Sequence, residues 1–394
     1  MKEGWSYKKL GEVCEILNGF AFKSNIYAPK GIRVIRITNV QKGFIEDTEP
    51  KFYPFDSIDE LNRYLLKSQD LLISLTGNVG RVALLAENML PAYLNQRVGC
   101  IRVKNEKELS ISYLYHLLNS NEFEKNCIQS AHGAAQKNMS TVWLANYKIP
   151  IPPLQEQHSI VSRLDSAFSH IDALKANAEK QLNEARKLFQ AELTECMKPK
   201  EGWEEKKLGE VATIQNGFAF KSNLFKKEGE PIIRISNIQN ECIETKDIVY
   251  FCKEDYFVNF DNYRIFPNDI LIAMSGGTTG KLGINRTNSI FYQNQRIGVI
   301  RENKKVLNHF YLYYFLQTKS EESLKIAAGA AQPNLSTAQI KNFIIPIIPL
   351  SVQKAIVSHL DSLSSTIRKL EELQQKTIAE CDALKQAMLR EVFE

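Results

Sequence analysis

The stretch KEGWSYKKLGEVCEILNGFAFKSN, residues 2–25, returns as KEGWEEKKLGEVATIQNGFAFKSN at residues 200–223. The two copies match at 19 of 24 positions, with an offset of 198 residues. A repeat on this scale indicates the architecture before any local pattern is considered. A molecule that uses one unit twice suits a target with two equivalent halves, and the two strands of duplex DNA form such a target.

The similarity extends through both halves of the chain. Residues 34–41 return as 232–239, residues 95–97 as 294–296, and residues 133–136 as 329–332, and the offset drifts only between 196 and 199. Each unit is therefore about half of the 394 residues. This is the size of a domain and not of a solenoid repeat.

Composition indicates a soluble globular protein, with 24% charged and 44% hydrophobic residues. A net charge of +5 permits a nucleic-acid partner but does not require one, so any positive surface must be local. The seven cysteines include no CxxC pair, which favours unpaired thiols in a reducing cytoplasm. The start MKEGWSYKK has no apolar signal segment, and no apolar run is long enough to span a membrane. We therefore predict a cytoplasmic protein without a membrane partner.

Each unit is predicted to end in a long helix. Proline clusters at 149–153 and 345–349 end the preceding extended segments. The residues that follow, 154–197 and 350–392, contain no proline or glycine, and apolar residues recur mostly at steps of 3 or 4, as in a coiled-coil seam. Pro199 is expected to end the first helix. The predicted seam residues are Val161, Leu164, Phe168, Ile171, Leu182, Phe189, Val357, Leu360, Ile367, Ile378, Leu384 and Met388.

The predicted fold class is α+β, with two mixed α/β domains related by a pseudo-two-fold axis and joined by two long antiparallel coiled-coil helices. A helix of ~40 residues is ~60 Å long, so a small domain alone does not cover its apolar stripe. The alternative is that each helix packs back on its own globular part. Within the globular parts, residues 34–40 predict a strand, residues 70–85 a hairpin, and residues 112–119 and 309–317 short helices with core tyrosines.

Motifs for catalysis or metal binding are incomplete. Residues 275–281, SGGTTGK, resemble a phosphate loop, but Leu282 follows the lysine where Ser or Thr is needed, so a hairpin turn is favoured. No SAM-binding glycine motif and no Asn-Pro-Pro-aromatic motif is present, and the histidines and cysteines have no metal-ligand spacing. Asp70 and Asp269, at the starts of predicted strands, are expected to have turn or capping roles. We therefore predict no catalytic or metal site in this chain.

The layout resembles the specificity subunit of type I restriction–modification systems. The resemblance is carried by Pro-Leu-x-x-Gln-x-x-Ile-Val-x-x-Leu-Asp at 153–165 and 349–361, by Gly-Trp-x4-Leu-Gly-Glu-Val, and by Gly-Ala-Ala-Gln-x-Asn. It covers essentially the whole chain. Val352 stands where the first copy has Glu156, so any polar contact from this position is in doubt on the second helix only.

The resemblance implies target recognition domains at 1–153 and 199–349, a central spacer helix at 154–198 and a distal spacer helix at 350–394. Each domain would recognise one half of a bipartite target in double-stranded DNA, and the helices would set the gap between the halves. The helices would also dock two modification subunits, which are N6-adenine methyltransferases, and restriction subunits would join that core. SAM, ATP and Mg would then belong to the partner subunits, and this chain would be non-catalytic.

Three alternatives stay open. A specificity subunit of a type IIB-like system, with a fused methylase–nuclease partner, would carry the same features. A coiled-coil scaffold without DNA binding would lack a steep salt dependence of duplex affinity. An enzyme with an unrecognised site would turn over SAM or ATP without partners.

The repeat also separates candidate DNA contacts. Residues kept in both copies do not by themselves distinguish two different half-sites, so they are expected to bind phosphates or support the fold. Base-reading residues should lie in the divergent windows near 42–69 and 240–268, with 104–131 and 302–327 as a second pair of candidate windows. The shared candidates are Lys23, Arg36, Arg81, Arg97, Lys221, Arg234, Lys281 and Arg296, with Gln136 and Gln332. The divergent candidates are Asn62, Arg63, Lys67, Gln69, Asn259, Asn262 and Arg264, with Lys51 and Lys253 in the same windows.

Overall fold

The computed structural model describes residues 4–55, 61–133, 137–239, 241–328 and 334–393. The chain divides into two compact units. Unit 1 comprises Met1–Glu179 with Gln374–Glu394, and unit 2 comprises Lys180–Leu373. The last residues of the chain therefore belong to the first unit, and each unit contains segments of both long helices.

Unit 1 is built on a four-stranded antiparallel sheet with the strand order β2-β8-β5-β6 within the described residues. A smaller sheet, β4-β3-β7, and the pair β1-β9 accompany it. The strands are β1 Ser6–Lys9, β2 Cys14–Asn18, β3 Ile32–Ile35, β4 Phe52–Tyr53, β5 Leu71–Ser74, β6 Val82–Leu84, β7 Ala92–Leu94, β8 Val98–Val103 and β9 Lys148–Ile151. The helices that begin in unit 1 are α1 Leu10–Val13, α2 Ile111–Leu118, α3 Asn121–Ser130, α4 Thr141–Asn146 and α5 Leu154–Met197.

The main sheet of unit 1 is buried on both faces. In β5, Leu71 and Ile73 join the core beneath the helices, whereas Leu72 joins a second core beneath the smaller sheet. Successive side chains in a strand point to opposite faces. The uninterrupted apolar sequence of β5 thus reflects two buried faces, and β5 and β6 form the hairpin that was predicted for residues 70–85.

The core of unit 1 that lies beneath its helices includes residues from the start of α5 and from the C-terminal helical segment of the chain. Ile160 and Leu164, near the start of α5, are buried with Leu389 and Val392 from the C-terminal segment. Asp172 accepts a hydrogen bond from Lys385 at 2.5 Å, and Lys175 donates to Asp382 at 2.8 Å. Because the number rises on one helix while it falls on the other, the two segments are antiparallel.

Unit 2 repeats this plan with a six-stranded sheet, β11-β20-β17-β18-β14-β13, a second sheet, β15-β12-β19-β16, and the pair β10-β21. Its first strands are β10 Glu204–Lys207, β11 Ala212–Asn216, β12 Glu230–Ile233, β13 Ile238–Gln239, β14 Glu241–Ile243 and β15 Val249–Phe251. The others are β16 Arg264–Ile265, β17 Ile270–Ala273, β18 Leu282–Ile284, β19 Phe291–Gln293, β20 Ile297–Glu302 and β21 Ile344–Ile347. Its helices are α6 Leu208–Val211, α7 His309–Thr318, α8 Ser320–Ala328, α9 Thr337–Lys341 and α10 Leu350–Phe393.

Unit 2 also pairs segments of α5 and α10. Leu193 and Met197 from the end of α5 share a core with Val357 and Leu360 from the start of α10. Arg186 donates to Glu371 at 2.7 Å, farther along both helices. In each unit a helix start therefore packs on its own globular part and pairs antiparallel with the end of the other helix, so both arrangements considered from the sequence occur.

The predicted fold class, two mixed α/β domains with two long helices, is confirmed. Helix α5 ends at Met197, two residues before Pro199. Helices α2 and α7 occupy the segments predicted at 112–119 and 309–317. None of the described helices combines the length and the apolar character that crossing a bilayer requires.

Two sequence predictions are wrong in detail. Leu384 is 52% exposed and lies outside the seam; the other predicted seam residues are buried or half-buried. The apolar stripe passes instead from Cys381 to Lys385, whose ammonium nitrogen lies 5.0 Å from the centroid of the Phe168 ring. A lysine ammonium is attracted to the face of an aromatic ring, and hydrophobic spacing alone does not show such a contact.

The strand predicted at 34–40 ends at Ile35. Asn39 accepts a hydrogen bond from the Arg36 amide at 2.9 Å and donates to the Glu46 carbonyl at 2.8 Å. An asparagine side chain that bonds nearby backbone in this way replaces the ladder of a sheet with a turn. Asn237 makes the same two kinds of contact in unit 2, with Arg234 and Glu244.

Candidate nucleic-acid interface

In each unit, backbone hydrogen bonds gather segments that are repeated in both copies. In unit 1 the Gln96 amide donates to Phe20 at 2.9 Å, the Leu75 amide donates to Arg97 at 3.0 Å, and the Met139 amide donates to Leu75 at 2.8 Å. In unit 2 the equivalent bonds are Gln295 to Phe218 at 2.9 Å, Met274 to Arg296 at 2.8 Å and Leu335 to Met274 at 2.7 Å. We call this surface, formed around 18–23, 75–78, 95–97 and 137–140 and their counterparts, the shared edge.

Glycine makes the shared edge possible. A Cβ at Gly19 would lie 2.3 Å from the carbonyl carbon of Asn95, and one at Gly217 would lie 2.1 Å from the Asn294 oxygen. Any larger residue would push the two segments apart. The repeated Asn-Gly-Phe-Ala-Phe-Lys therefore fits its place because the backbone must approach closely there.

Exposed cations lie on the shared edge of both units. The side chains of Lys23 and Arg97 in unit 1, and of Lys221 and Arg296 in unit 2, are exposed. In the part of the chain that the structure describes, no acidic side chain is within ion-pair distance of these four. In unit 2, Arg296 lines an open groove of about 620 Å3 with Gly276, Gln295 and Asn334. These four residues are therefore free to meet phosphate groups.

The other four shared cations brace loops. Arg36 donates through Nη2 to the Glu49 carbonyl at 2.9 Å, and Arg234 donates to the Asp247 carbonyl at 3.0 Å. Lys281 donates to the Gln239 side chain at 2.5 Å, and Arg81 makes the matching contact with Gln41. The structure thus separates the eight shared candidates into an exposed set and a set that supports the fold.

The divergent candidates also fall into two groups. Asn62 and Arg63 are exposed on a short turn whose Tyr64 ring lies 5.3 Å from the Phe20 ring of the shared edge. Tyr263 lies 5.4 Å from Phe218 in unit 2, which places the turn of Asn262 beside the shared edge there. Asn259 is exposed in the loop just before this turn, and its side chain accepts a hydrogen bond from the Asp261 amide at 2.9 Å.

Other divergent candidates are placed elsewhere or are engaged. Lys67 and Gln69 precede the start of β5, at the opposite end of that strand from Leu75, and Gln69 has a φ of 64° in the turn. Arg264 pairs with Asp261 at 2.6 Å, and Lys253 pairs with Glu230 at 2.5 Å. Lys51 is half-buried, and Gln136 and Gln332 lie outside the described residues.

The acids at the strand starts have structural partners. Asp70 accepts two hydrogen bonds from Arg102, both at 2.7 Å, and one from the Lys67 amide. Asp269 repeats the arrangement with Arg301 and the Phe266 amide. The carboxylate oxygens are thus held in bidentate pairs with arginine, which agrees with the predicted structural role. The Gly276–Thr278 turn connects β17 to β18, as expected for a hairpin and not for a phosphate loop.

Sequence reasoning missed the role of a buried glutamine in each helix start. Gln157 is fully buried, accepts a hydrogen bond from the Ser110 amide at 2.8 Å and donates to the carbonyls of Glu108 and Pro152. Gln353 makes the same three contacts with Asn308, Val306 and Ile348. Its occurrence at the same place in both motifs was the available signal. This clamp fixes where each long helix leaves its globular part.

The tyrosines of α2 and α7 are core residues, as predicted. Tyr113 and Tyr311 are fully buried, and their hydroxyls donate to the carbonyls of Pro150 and Pro346, each at 3.0 Å. Burial raises the pKa of both hydroxyls, so they stay neutral donors. They are not available for stacking on bases.

At one equivalent position, α2 and α7 carry chemically different residues that contact equivalent aspartates on the long helices. His116 contacts Asp165 at 2.7 Å, and Tyr314 donates to Asp361 at 2.6 Å. Burial lowers the pKa of His116 below its ordinary value of 6.5, although Asp165 acts in the opposite direction. The same aspartate of each helix therefore meets a titrating group in unit 1 and a neutral hydroxyl in unit 2.

Comparison with known proteins agrees with this architecture. The model of the type I restriction modification DNA specificity domain matches residues 2–184 and again residues 200–379. The chain belongs to this family and carries two copies of its domain, as a type I restriction–modification specificity subunit does.

Of two individual relatives, one matches nearly the whole chain and the other about half of it. The EcoBI specificity subunit of Escherichia coli is 24% identical over 99% of this chain and 86% of its own length. The MjaVIII specificity subunit of Methanocaldococcus jannaschii is 33% identical over 47% of this chain and 44% of its own length.

Solved structures share the fold. A chain from a structure of a type I R-M system has a TM-score of 0.75 at 20% identity and covers 100% of this chain and 98% of that chain. The HsdS subunit from Thermoanaerobacter tengcongensis has a TM-score of 0.53 at 20% identity, with coverage of 100% and 97%.

Proposed function

We propose that this chain is the non-catalytic subunit that gives a cytoplasmic type I restriction–modification complex its DNA specificity. The observation that carries the proposal is the shared edge, which presents Lys23 and Arg97 in unit 1 and Lys221 and Arg296 in unit 2 next to segments that differ between the units. Contacts to phosphates position a protein on duplex DNA, while contacts to base edges specify sequence. Equivalent cations beside divergent loops match this division.

Each unit would then recognise one half of a bipartite target, and the helices would set the gap between the halves. Two modification subunits would dock on the helices and would supply SAM-dependent methylation of adenine at N6. Restriction subunits that use ATP and Mg would complete the complex.

The shared edge is tested by Arg97→Ala and Arg296→Ala, with Lys107→Ala as the matched control. Lys107 is exposed beyond the other end of β8, away from the shared edge. We expect each arginine variant to weaken duplex binding by the complex and to reduce the slope of log affinity against log salt by about 0.9, the value for one lost phosphate contact. Unchanged slopes in both arginine variants and in Lys23→Ala and Lys221→Ala would rule out the shared edge as the phosphate contact.

Half-site recognition is tested by transplanting residues 26–131 from a relative with a different target. Mapping of N6-methyladenine in the host should show one half of the methylated motif altered and the other half preserved. Transplanting the counterpart segment, residues 224–327, should alter the other half. A change in both halves from one transplant would contradict recognition by separate units.

A further inference from the structure

Three side chains of unit 2 converge where the end of α5 lies against the start of α10. Glu192 and Cys196 lie one helical turn apart on α5, and His359 faces them from α10. His359 Nε2 lies 2.9 Å from Glu192 Oε1, and Cys196 Sγ lies 3.6 Å from the same oxygen. One ligand atom from each of the three residues lies within 4.8 Å of the others.

Carboxylate, thiolate and imidazole are the ligands that zinc uses in proteins, at bond lengths of roughly 2.0–2.3 Å. Ligand atoms around a tetrahedral ion of that size are roughly 3.3–3.8 Å apart, as follows from those bond lengths. The Cys196–Glu192 separation of 3.6 Å lies within this range, the His359–Glu192 separation of 2.9 Å is shorter, and no separation exceeds 4.8 Å, so side-chain rotations of this size would bring all three onto one ion. A thiolate with an imidazole favours zinc and similar transition metals over magnesium or calcium.

The cluster is exposed to solvent and lies on two helices that are packed against each other. The side chain of His359 is 56% exposed and that of Glu192 is 40% exposed, so an ion can enter from water and keep a water molecule as its fourth ligand. The helices beneath it are packed through Leu193, which is fully buried, and Leu360. The thiolate is the form of cysteine that ligates zinc, so binding of the ion would release the proton of the Cys196 thiol.

The repeat provides an internal contrast. In unit 1 the positions equivalent to Glu192, Cys196 and His359 are Met388, Val392 and Arg163. None of these has the chemistry of the unit 2 cluster, and Val392 is buried in the core. The metal-ligating set is therefore a property of unit 2 and not of the repeated framework.

We propose that Glu192, Cys196 and His359 bind one zinc-class divalent ion, which joins α5 to α10 in unit 2. The ion would crosslink two segments that are far apart in sequence and would restrain the start of α10 beside the Gln353 clamp. Its loss would loosen this helix junction without removing the cations of the shared edge.

The test uses the purified full-length chain, free of any affinity tag, with Co2+ as the spectroscopic probe. We expect a thiolate-to-cobalt charge-transfer band at one equivalent, which Zn2+ abolishes by displacement. Cys196→Ser should remove the band, and His359→Asn should weaken Zn2+ binding at least ~10-fold, because losing even a residue that only orients a metal ligand has an effect of that size. Cys242→Ser is the control, because this half-buried thiol lies outside the cluster and should leave the band unchanged.

A gain-of-site variant keeps the test independent of damage to unit 2. The triple variant carries Arg163→His, Met388→Glu and Val392→Cys. If circular dichroism shows that it folds, equilibrium dialysis should give two Zn2+ ions per chain where the natural chain gives one. The proposal is overturned if the natural chain shows no charge-transfer band, or if the band survives Cys196→Ser. In either case Glu192 serves only as the acceptor for His359 and Cys196.

Discussion

The two units keep the same glutamine contacts at the start of each long helix. They differ in the segment that follows β3 in unit 1 and β12 in unit 2. Gln157 and Gln353 each make three hydrogen bonds to equivalent backbone groups. In unit 2, by contrast, β13 and β14 add two strands to the main sheet, where the described part of unit 1 has only an isolated bridge between Val40 and Ile45. Structure is thus kept where a helix must leave at a fixed place and varies where recognition is proposed to differ.

The largest expected effect concerns residues that lie in one half of the sequence and complete the core of the other unit. Leu389 and Leu193 occupy equivalent positions and are both fully buried. Leu389→Ala should destabilise unit 1 by about 3 kcal/mol, and Leu193→Ala should destabilise unit 2 by a similar amount, because a buried cavity replaces each side chain. Hydrogen exchange of amides in 71–103 and 270–301 reports the two units separately.

Leu384→Ala is the control for this pair, since Leu384 is 52% exposed on the same helix as Leu389. In neither unit should the free energy of opening measured by amide exchange change by more than about 0.5 kcal/mol. If Leu389→Ala accelerated exchange in 270–301 and spared 71–103, the assignment of the C-terminal segment to unit 1 would be wrong.

A smaller effect distinguishes His116 from Tyr314. Because the pKa of His116 is lowered in the folded state, the unfolded state binds more protons, and stability rises with pH. The stability that comes from keeping His116 neutral is fully present above the unfolded-state pKa of about 6.5. It is lost as the pH falls from that value through the lower pKa of the folded state. His116→Tyr should therefore reduce the loss of stability of unit 1 on acidification.

The measurement is urea unfolding at about pH 7.5 and about pH 5.5, with exchange of unit 1 amides as the readout. The reciprocal variant, Tyr314→His, should introduce acid sensitivity into unit 2. Asp165 and Lys385 also face His116, so the aspartate must be left in place in every variant. Equal acid sensitivity of the natural chain and His116→Tyr would show that this histidine does not produce the difference.

The smallest effect concerns Val352. Glu156 accepts a hydrogen bond from the Trp5 indole at 3.0 Å, whereas Val352, its counterpart, is 41% exposed. Val352→Glu should give Trp203 an acceptor and should add an acidic group to the first turn of α10, for a gain of about 1 kcal/mol in unit 2. Glu156→Val should cost unit 1 a similar amount, as measured by urea unfolding; no change in either variant would mean that this contact contributes little.

Much of the architecture followed from local signals. The offset repeat predicted two units, prolines marked the helix boundaries, and the spacing of apolar residues located most of the seam. The same signals failed at Leu384, where the contact of the Lys385 ammonium with the Phe168 ring takes the place of an apolar contact, and at Ile35, where an asparagine ends the strand. Both failures arise because a polar side chain made a specific contact that its position in a pattern does not reveal.

For the candidate interface, the sequence separated shared from divergent residues, but it did not show which shared cations are exposed. Arg36 and Arg234 brace loops, while Arg97 and Arg296 point outward, although all four are repeated equally well. A residue can be the same in both copies because it supports the fold or because it binds a ligand. Only the hydrogen-bond partners separate the two roles.

By itself, the sequence determined that one domain occurs twice and that each copy ends in a helix, since periodicity and helix-breaking residues act over short distances. Tertiary structure alone decided that Leu389 and Val392 complete the core of unit 1 and that Glu192, Cys196 and His359 meet in unit 2. The contacts between the two helices join residues more than 150 positions apart. They depend on which apolar surfaces exclude water together, and no local pattern carries that information.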